Sequence, residues 1–232
     1  MTQNIFQIPV PYAPPIVGVG QVFAMRRIFC VGRNYAAHAA EMGNEVDREA
    51  PFYFTKSPHC AVASGQTIPY PLASADVHHE IELAVMIGRA GLRIEKEAAW
   101  DHVYGYAVAL DMTRRDLQGR AKEMRRPWDL GKDFDHAMPI SAVTPKEAAG
   151  DILAQRITLD VNGDRRQDAP LIDMVWSVPE LIHDLSHHYR LEAGDVILTG
   201  TPAGVGPVQE GDRLVGAIGG LTSLDVTIGA PV

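Results

Sequence analysis

The stretch Glu80-Ile81-Glu82-Leu83-Ala84-Val85-Met86-Ile87-Gly88 alternates polar and apolar residues at its start and runs apolar to its end. That pattern predicts a strand entering a core from a polar rim. Val103-Tyr104-Gly105-Tyr106-Ala107-Val108-Ala109-Leu110-Asp111 predicts a second core strand, one that emerges at an acid. Outward from these two, residues 27–31, 52–56, 67–70, 195–199, 213–218 and 222–228 are apolar, β-branched or aromatic runs between Gly, Pro and Ser, and read as short strands. Residues 154–161 and 167–169 flank Asn162-Gly163-Asp164, a hairpin signal. Helices are expected at residues 35–42, 95–102, 114–124 and 178–189, the last with Ser177 as N-cap and Pro179 in its first turn. Residues 44–50 read as a polar loop. Strands outnumber helices and do not alternate regularly with them, which favours an α+β, β-rich fold over a doubly wound sheet.

The chain has 232 residues, 46% hydrophobic and 22% charged, enough for one large domain that needs no disulfide or structural metal. The Pro-rich residues 1–25 read as an extended N-terminal arm and residues 26–232 as a single catalytic domain. Lys and Arg number 21 against 29 Asp and Glu, a net charge of -8 whose field repels nucleic acid and anionic membranes. Neither is an expected partner. The start lacks the basic residues and apolar run of a signal peptide, and no stretch is long and apolar enough to span a bilayer. Cys30 and Cys60 sit in apolar segments without a CxxC motif, as reduced core residues of a cytoplasmic protein do.

Period-two geometry puts Glu80 and Glu82 on one face of a strand, where their repulsion is relieved by a hard divalent cation such as Mg²⁺, Mn²⁺ or Ca²⁺. Asp111 offers a third oxygen; the same spacing also fits a solvated strand face. His38 and Glu41, at i and i+3, share a helix face, so the carboxylate can orient the imidazole to take a proton from water, or the two form a surface pair. The loop Thr199-Gly200-Thr201-Pro202-Ala203-Gly204-Val205-Gly206 reads either as an anion-holding nest or as a plain turn. Arg114, Arg115, Arg120, Lys122, Arg125 and Arg126 form a local positive run that steers anionic substrates or simply covers a helix face. His183 and His187 lack the catalytic Glu of an H-E-x-x-H motif and read as structural.

Four blocks occur in one order: Phe29-Cys30-Val31-Gly32-Arg33-Asn34-Tyr35-Ala36-Ala37-His38; Glu80-x-Glu82; Leu110-Asp111-Met112-Thr113; and Leu198-Thr199-Gly200-Thr201-Pro202-x-Gly204-Val205-Gly206. Together they resemble the fumarylacetoacetate hydrolase family from about Arg26 to the C-terminus. The arm and the Arg26-Arg27-Ile28-Phe29-Cys30 segment look most like the members that act on fumarylpyruvate. The resemblance implies a mixed β-sandwich roll, a homodimer, and Mg²⁺ or Mn²⁺ on Glu80, Glu82 and Asp111. It implies that His38 and Glu41 form a water-activating dyad on a lid and that Lys132 faces the substrate. Arg115 and Gln118 match polar residues near the metal, while Arg33 and Thr201 fall at substrate-binding positions. Lys56-Ser57-Pro58-His59 departs from the Lys-Pro-Ala-Asp of many members, leaving the triad intact but bearing on the adjoining pocket.

The implied activity is hydrolysis of a carbon-carbon bond in an acylpyruvate, 3-fumarylpyruvate first, giving fumarate and pyruvate in aromatic (gentisate-type) degradation. The partner is then a small 2-oxo acid. The same site also suits oxaloacetate decarboxylation or isomerisation of a 2-oxo acid, and the fold alone suits a binding protein that has lost activity.

Overall fold

The computed structural model describes residues 5, 7, 9–41, 43 and 48–231. Parts of three expectations lie outside the described residues: positions 1–4, 6 and 8 of the arm, position 42 of the first helix, and positions 44–47 of the polar loop.

In chain order the strands are β1 (Arg27–Gly32), β2 (Phe52–Lys56), β3 (Ala61–Ala63), β4 (Thr67–Pro69), β5 (Val77–His79), β6 (Ile81–Ile87), β7 (Val103–Leu110) and β8 (Thr113–Arg114). They continue with β9 (Met138–Ile140), β10 (Thr144–Pro145), β11 (Arg156–Val161), β12 (Asp164–Pro170), β13 (Asp195–Leu198), β14 (Gly206–Pro207), β15 (Arg213–Ile218) and β16 (Leu224–Gly229). The helices are α1 (Ala36–Glu41), α2 (Arg115–Glu123), α3 (Asp129–Lys132), α4 (Lys146–Ala149) and α5 (Val178–His188). Among the described residues, an eight-stranded sheet runs β2-β1-β13-β6-β7-β9-β3 with β10 paired to β7, a five-stranded sheet runs β12-β11-β15-β16-β4, and β14-β5-β8 form a small third sheet. Both large sheets are mixed, with β1 parallel to β13 and β16 parallel to β4 among otherwise mostly antiparallel pairs. The architecture is the strand-rich α+β fold that the sequence predicts.

The core lies where the two large sheets meet. Every residue of β6 is buried, which explains its near-continuous apolar run. On β15, Gly216 lets the second sheet close on the first: a Cβ there would stand 2.4 Å from Ile81 Cδ1 and 3.2 Å from Val108 Cγ1. The β11–β12 hairpin turns at Asn162 and Gly163, both with left-handed φ (55° and 89°), as a primed turn requires. Glu180 accepts hydrogen bonds from the N–H and hydroxyl of Ser177, closing the N-terminus of α5. Val178, Leu181, Ile182 and Leu185 are buried along one stripe of that helix.

One predicted element differs in kind. The helix expected at 95–102 is a 3₁₀ segment, Lys96–His102, with i to i+3 bonds such as Ala98 N–H to Glu95 O. Glu95 supplies no side-chain cap, and β7 begins at once. A short uncapped run of this kind favours the tighter turn. In the N-terminal stretch, Ile16, Phe23 and Met25 are buried in the core, and Val17 N–H donates to Val143 O.

Candidate active site

Antiparallel pairing of β6 with β7 sets Ile81 opposite Leu110 and Glu82 opposite Ala109. The ladder is continued by Asp111 N–H donating to Glu80 O at 2.8 Å. Glu80 and Asp111 therefore leave adjacent strands side by side, and Glu82 follows two residues along the same strand. One carboxylate oxygen from each lies within 4.8 Å of the others, and the three residues are only 5%, 2% and 1% exposed.

Such a concentration of buried negative charge is partly compensated. Lys132, in α3, places Nζ 2.6 Å from Glu80 Oε2 and 2.6 Å from Asp111 Oδ2. Arg115, opening α2, pairs through Nη2 with Glu80 Oε1 and through Nη1 with Gln118 Oε1 at 2.8 Å. Against the opposing effect of burial, Lys132 and Arg115 hold the Glu80 carboxyl well below the usual range, and Asp111 and Glu80 hold the Lys132 ammonium above its own. Glu82 goes the other way, because burial and the negative charges of Asp111 and Glu80 push its carboxyl far up. Its Oε2 accepts from Gly200 N–H at 2.7 Å.

These residues fit a divalent ion. The donor set is three carboxylate oxygens; Asp111 Oδ1 is buried with the Lys56 ammonium 2.9 Å away and makes no hydrogen bond, and among the described residues no cation pairs with Glu82. A hard cation satisfies both groups at once.

His38 lies on α1, is 7% exposed, and sets Nδ1 3.4 Å from Glu41 Oε2. Burial lowers its pKa below the ordinary value of 6.5, despite the opposing pull of Glu80 and Glu41. Glu41 in turn accepts from Gly204 N–H at 3.1 Å. The loop 199–206 donates single N–H groups to two of the protein's own acids, Gly200 to Glu82 and Gly204 to Glu41, and does not close as a nest on one anion. Gly204 has φ +94°, and a Cβ would stand 2.0 Å from Arg166 O, so no larger residue fits there.

Arg33, His38, Glu80, Glu82, Asp111, Arg115, Gln118, Lys132 and Thr201 line a single cleft together with Phe54, Lys122 and Trp128. Among the predicted site residues, Glu41 stands behind His38 and is not part of this lining. The basic run divides: Arg115 and Lys122 reach the cleft, Arg114 stacks 4.4 Å from the Phe134 ring, and Arg120, Arg125 and Arg126 are exposed. His183 and His187 direct Nδ1 to the carbonyls of Ile94 and His183, at 2.7 and 2.8 Å. Cys30 and Cys60 are buried free thiols.

Sequence reasoning missed three polar residues that hold the site. The side chain of Lys56 is fully buried, with Nζ 2.9 Å from Asp111 Oδ1, and it donates to the carbonyls of Met112 and Lys132. Gln167 accepts from Ile81 N–H and donates to Thr201 Oγ1 and Pro202 O, each at about 3 Å. Asn34 donates to Thr199 O at 2.7 Å and accepts from Trp176 N–H at 2.7 Å. A lysine closing an aromatic strand was the one available signal, for Lys56. The departure at 57–59 lies outside the cleft lining: Ser57 caps a 3₁₀ turn through His59 N–H, and its own N–H donates to Asp133.

Fold and site together define a metal-site enzyme of the fumarylacetoacetate hydrolase type. Residues 27–229 match the family described as fumarylacetoacetate (FAA) hydrolase C-terminal, and the chain belongs to that family. A fumarylpyruvate hydrolase of Ralstonia sp is 44% identical over 191 residues, covering 81% of this chain and 98% of that protein. The mitochondrial oxaloacetate tautomerase FAHD1 of Mus musculus is 43% identical over 199 residues, 86% of this chain and 90% of that one. The crystal structure of fumarylpyruvate hydrolase from Pseudomonas aeruginosa, in complex with Mn²⁺ and pyruvate, is 45% identical with a TM-score of 0.95, covering 98% of this chain and 100% of that one.

Proposed function

We propose that this protein hydrolyses the carbon-carbon bond of an acylpyruvate, with 3-fumarylpyruvate as its leading substrate and fumarate and pyruvate as products. The observation that carries the reading is one cleft lined by three clustered buried carboxylates and by a histidine backed by Glu41. The Ralstonia and Pseudomonas relatives support the choice of acyl group.

Glu80, Glu82 and Asp111 would hold Mg²⁺ or Mn²⁺, which when bound supplies Lewis-acid stabilisation of developing negative charge. His38 is neutral at neutral pH because burial disfavours its charged form, so it can accept a proton from water. Nδ1 is engaged with Glu41, which leaves Nε2 as the accepting atom. The hydroxyl adds to the acyl carbonyl, and two of the three Lys132 donors already serve Glu80 and Asp111, leaving one for the oxyanion. Cleavage sends the bonding electrons to the methylene carbon, the leaving enolate takes up a proton to become pyruvate, and the acyl group departs as its acid. Arg115, Gln118, Arg33 and Thr201 would bind and orient the substrate.

Loss of fumarylpyruvate absorbance, followed with Mg²⁺, with Mn²⁺ and with EDTA while both acids are quantified, tests this reading. Metal-dependent loss with equal yields of fumarate and pyruvate supports it, and the absence of fumarate contradicts it. The 43% identity to an oxaloacetate tautomerase supports a second reading, in which oxaloacetate is enolised or decarboxylated on the same groups. Pyruvate formed from oxaloacetate without a second acid marks decarboxylation, and enol–keto conversion alone marks the tautomerase. The same proposal includes a homodimer, a cytoplasmic place and a step in aromatic degradation. No described helix is long and apolar enough to cross a membrane.

A further inference from the structure

Lys122 has no part in the chemistry derived above, yet it lines the same cleft. It belongs to α2, whose first residue, Arg115, holds the Glu80 carboxylate, and whose Gln118 accepts from Arg115. Arg115, Gln118 and Lys122, at i, i+3 and i+7, fall on one helix face. At about 1.5 Å rise per residue, the backbone of Lys122 stands about 10 Å further along the helix than that of Arg115. The helix therefore sets Lys122 about two turns on from the residue that holds the carboxylate cluster.

No carboxylate among the described residues forms an ion pair with Lys122, and none pairs with Arg33 on the cleft lining. Arg33 follows Gly32 with φ +60°, a left-handed conformation that few non-glycine residues adopt and that clusters at functional sites. Burial and the nearby positive charges of Arg115 and Arg33 push the Lys122 ammonium down to about 8. Cations brought together in this way are relieved by an anion between them. Lys122 Nζ lies 4.9 Å from the centre of the Trp128 ring, and Trp128 in turn lies 5.9 Å from Phe54. Phe54 itself lies 4.9 Å from Lys132 Nζ, so aromatic faces run from the carboxylate cluster to Lys122 and suit a planar conjugated chain.

We propose that Lys122, assisted by Arg33, binds the far carboxylate of the acyl group, so that this site selects acylpyruvates whose acyl chain ends in a carboxylate. The inference rests on the acylpyruvate reading and narrows it to a planar, unsaturated dicarboxylic acyl arm. Arg115 and Lys132 pair with Glu80 and Asp111, which keeps their remaining donors at the inner end and leaves Lys122 and Arg33 for the outer one.

The test compares fumarylpyruvate with acetylpyruvate, which has a methyl group in place of the enoic acid, in wild type, Lys122→Met and Lys122→Arg. The wild-type preference in kcat/KM for fumarylpyruvate is expected to fall at least about tenfold in Lys122→Met, chiefly through KM, and to be largely restored in Lys122→Arg. An unchanged preference in Lys122→Met overturns the proposal while leaving the hydrolase reading intact. A parallel calorimetric titration needs no turnover. Fumarate should bind wild type at least about tenfold more tightly than crotonate, its methyl-ended analogue, and the difference should vanish in Lys122→Met. Equal binding of the two acids by wild type overturns the proposal even if no acylpyruvate is cleaved, whereas failure of cleavage with the fumarate preference present overturns only the hydrolase reading.

Discussion

The strand pair that carries Glu80, Glu82 and Asp111 and the short helix that carries His38 and Glu41 face one cleft but are secured differently. Glu82 stands on β6, and Glu80 and Asp111 flank the adjoining ends of β6 and β7, at the centre of the eight-stranded sheet, where every residue of β6 is buried. α1 has six residues, of which only His38 and Ala39 are buried, and Glu41 is tied back through Gly204 N–H. Charged groups that repel one another need a wall that does not yield, and the sheet core supplies it. A proton acceptor needs only orientation and a dry setting, which a light element with one tether can give.

Changes to the strand wall should have the largest effects. Glu82→Ala removes an oxygen from the proposed ion site, and losing the several kcal/mol that a bound ion would contribute should lower kcat by at least about 10³-fold. In a thermal melt the stabilisation of the wild type by Mn²⁺ should disappear in this variant; a retained shift would remove Glu82 from the ion site. Next, Lys132→Met leaves Glu80 and Asp111 without their shared ammonium. Breaking a buried ion group in this way destabilises the metal-free protein by about 3–5 kcal/mol. Urea unfolding should show that loss, with partial recovery in Mn²⁺, since an added cation replaces the missing charge. An unaltered midpoint in metal-free buffer would contradict this view of the wall.

Asn34→Ala acts at the seam between the two regions, because Asn34 ties the end of β1 to Thr199 and to Trp176. Leaving those buried backbone groups unsatisfied should lower stability by about 1–3 kcal/mol, readable in the same urea series. The smallest effect is in pH dependence. Burial places the His38 pKa below 6.5, so kcat/KM should be flat from neutral pH down to that value and fall only below it as the ring takes up a proton. The same depression removes stability as pH falls through 6.5, because the unfolded chain then binds the proton that the buried ring refuses. An acid limb centred above 6.5 would mean that His38 is not the titrating base.

The wall was far more legible than its supports. Period two on a strand put Glu80 and Glu82 on one face, and an acid ending an apolar run marked Asp111, because side-chain direction in a strand is fixed by local geometry. Lys56, Gln167 and Asn34 act on groups 56, 86 and 165 residues away in the chain, at Met112, Ile81 and Thr199. No local pattern encodes such pairings. In the sequence the loop 199–206 reads as a nest or a plain turn, and that its N–H groups serve Glu82 and Glu41 shows only where three distant segments meet. The 3₁₀ segment at Lys96–His102 shows the reverse limit, since helix-forming residues without caps did not suffice for an α-helix.

The most direct measurement is Mn²⁺ affinity and kcat for fumarylpyruvate, determined side by side for wild type and His38→Gln. If ion binding belongs to the strand wall and proton transfer to α1, Mn²⁺ affinity should stay within about twofold while kcat falls about 10²- to 10⁴-fold. A variant that keeps wild-type kcat, or one that loses Mn²⁺ together with its activity, would contradict that division.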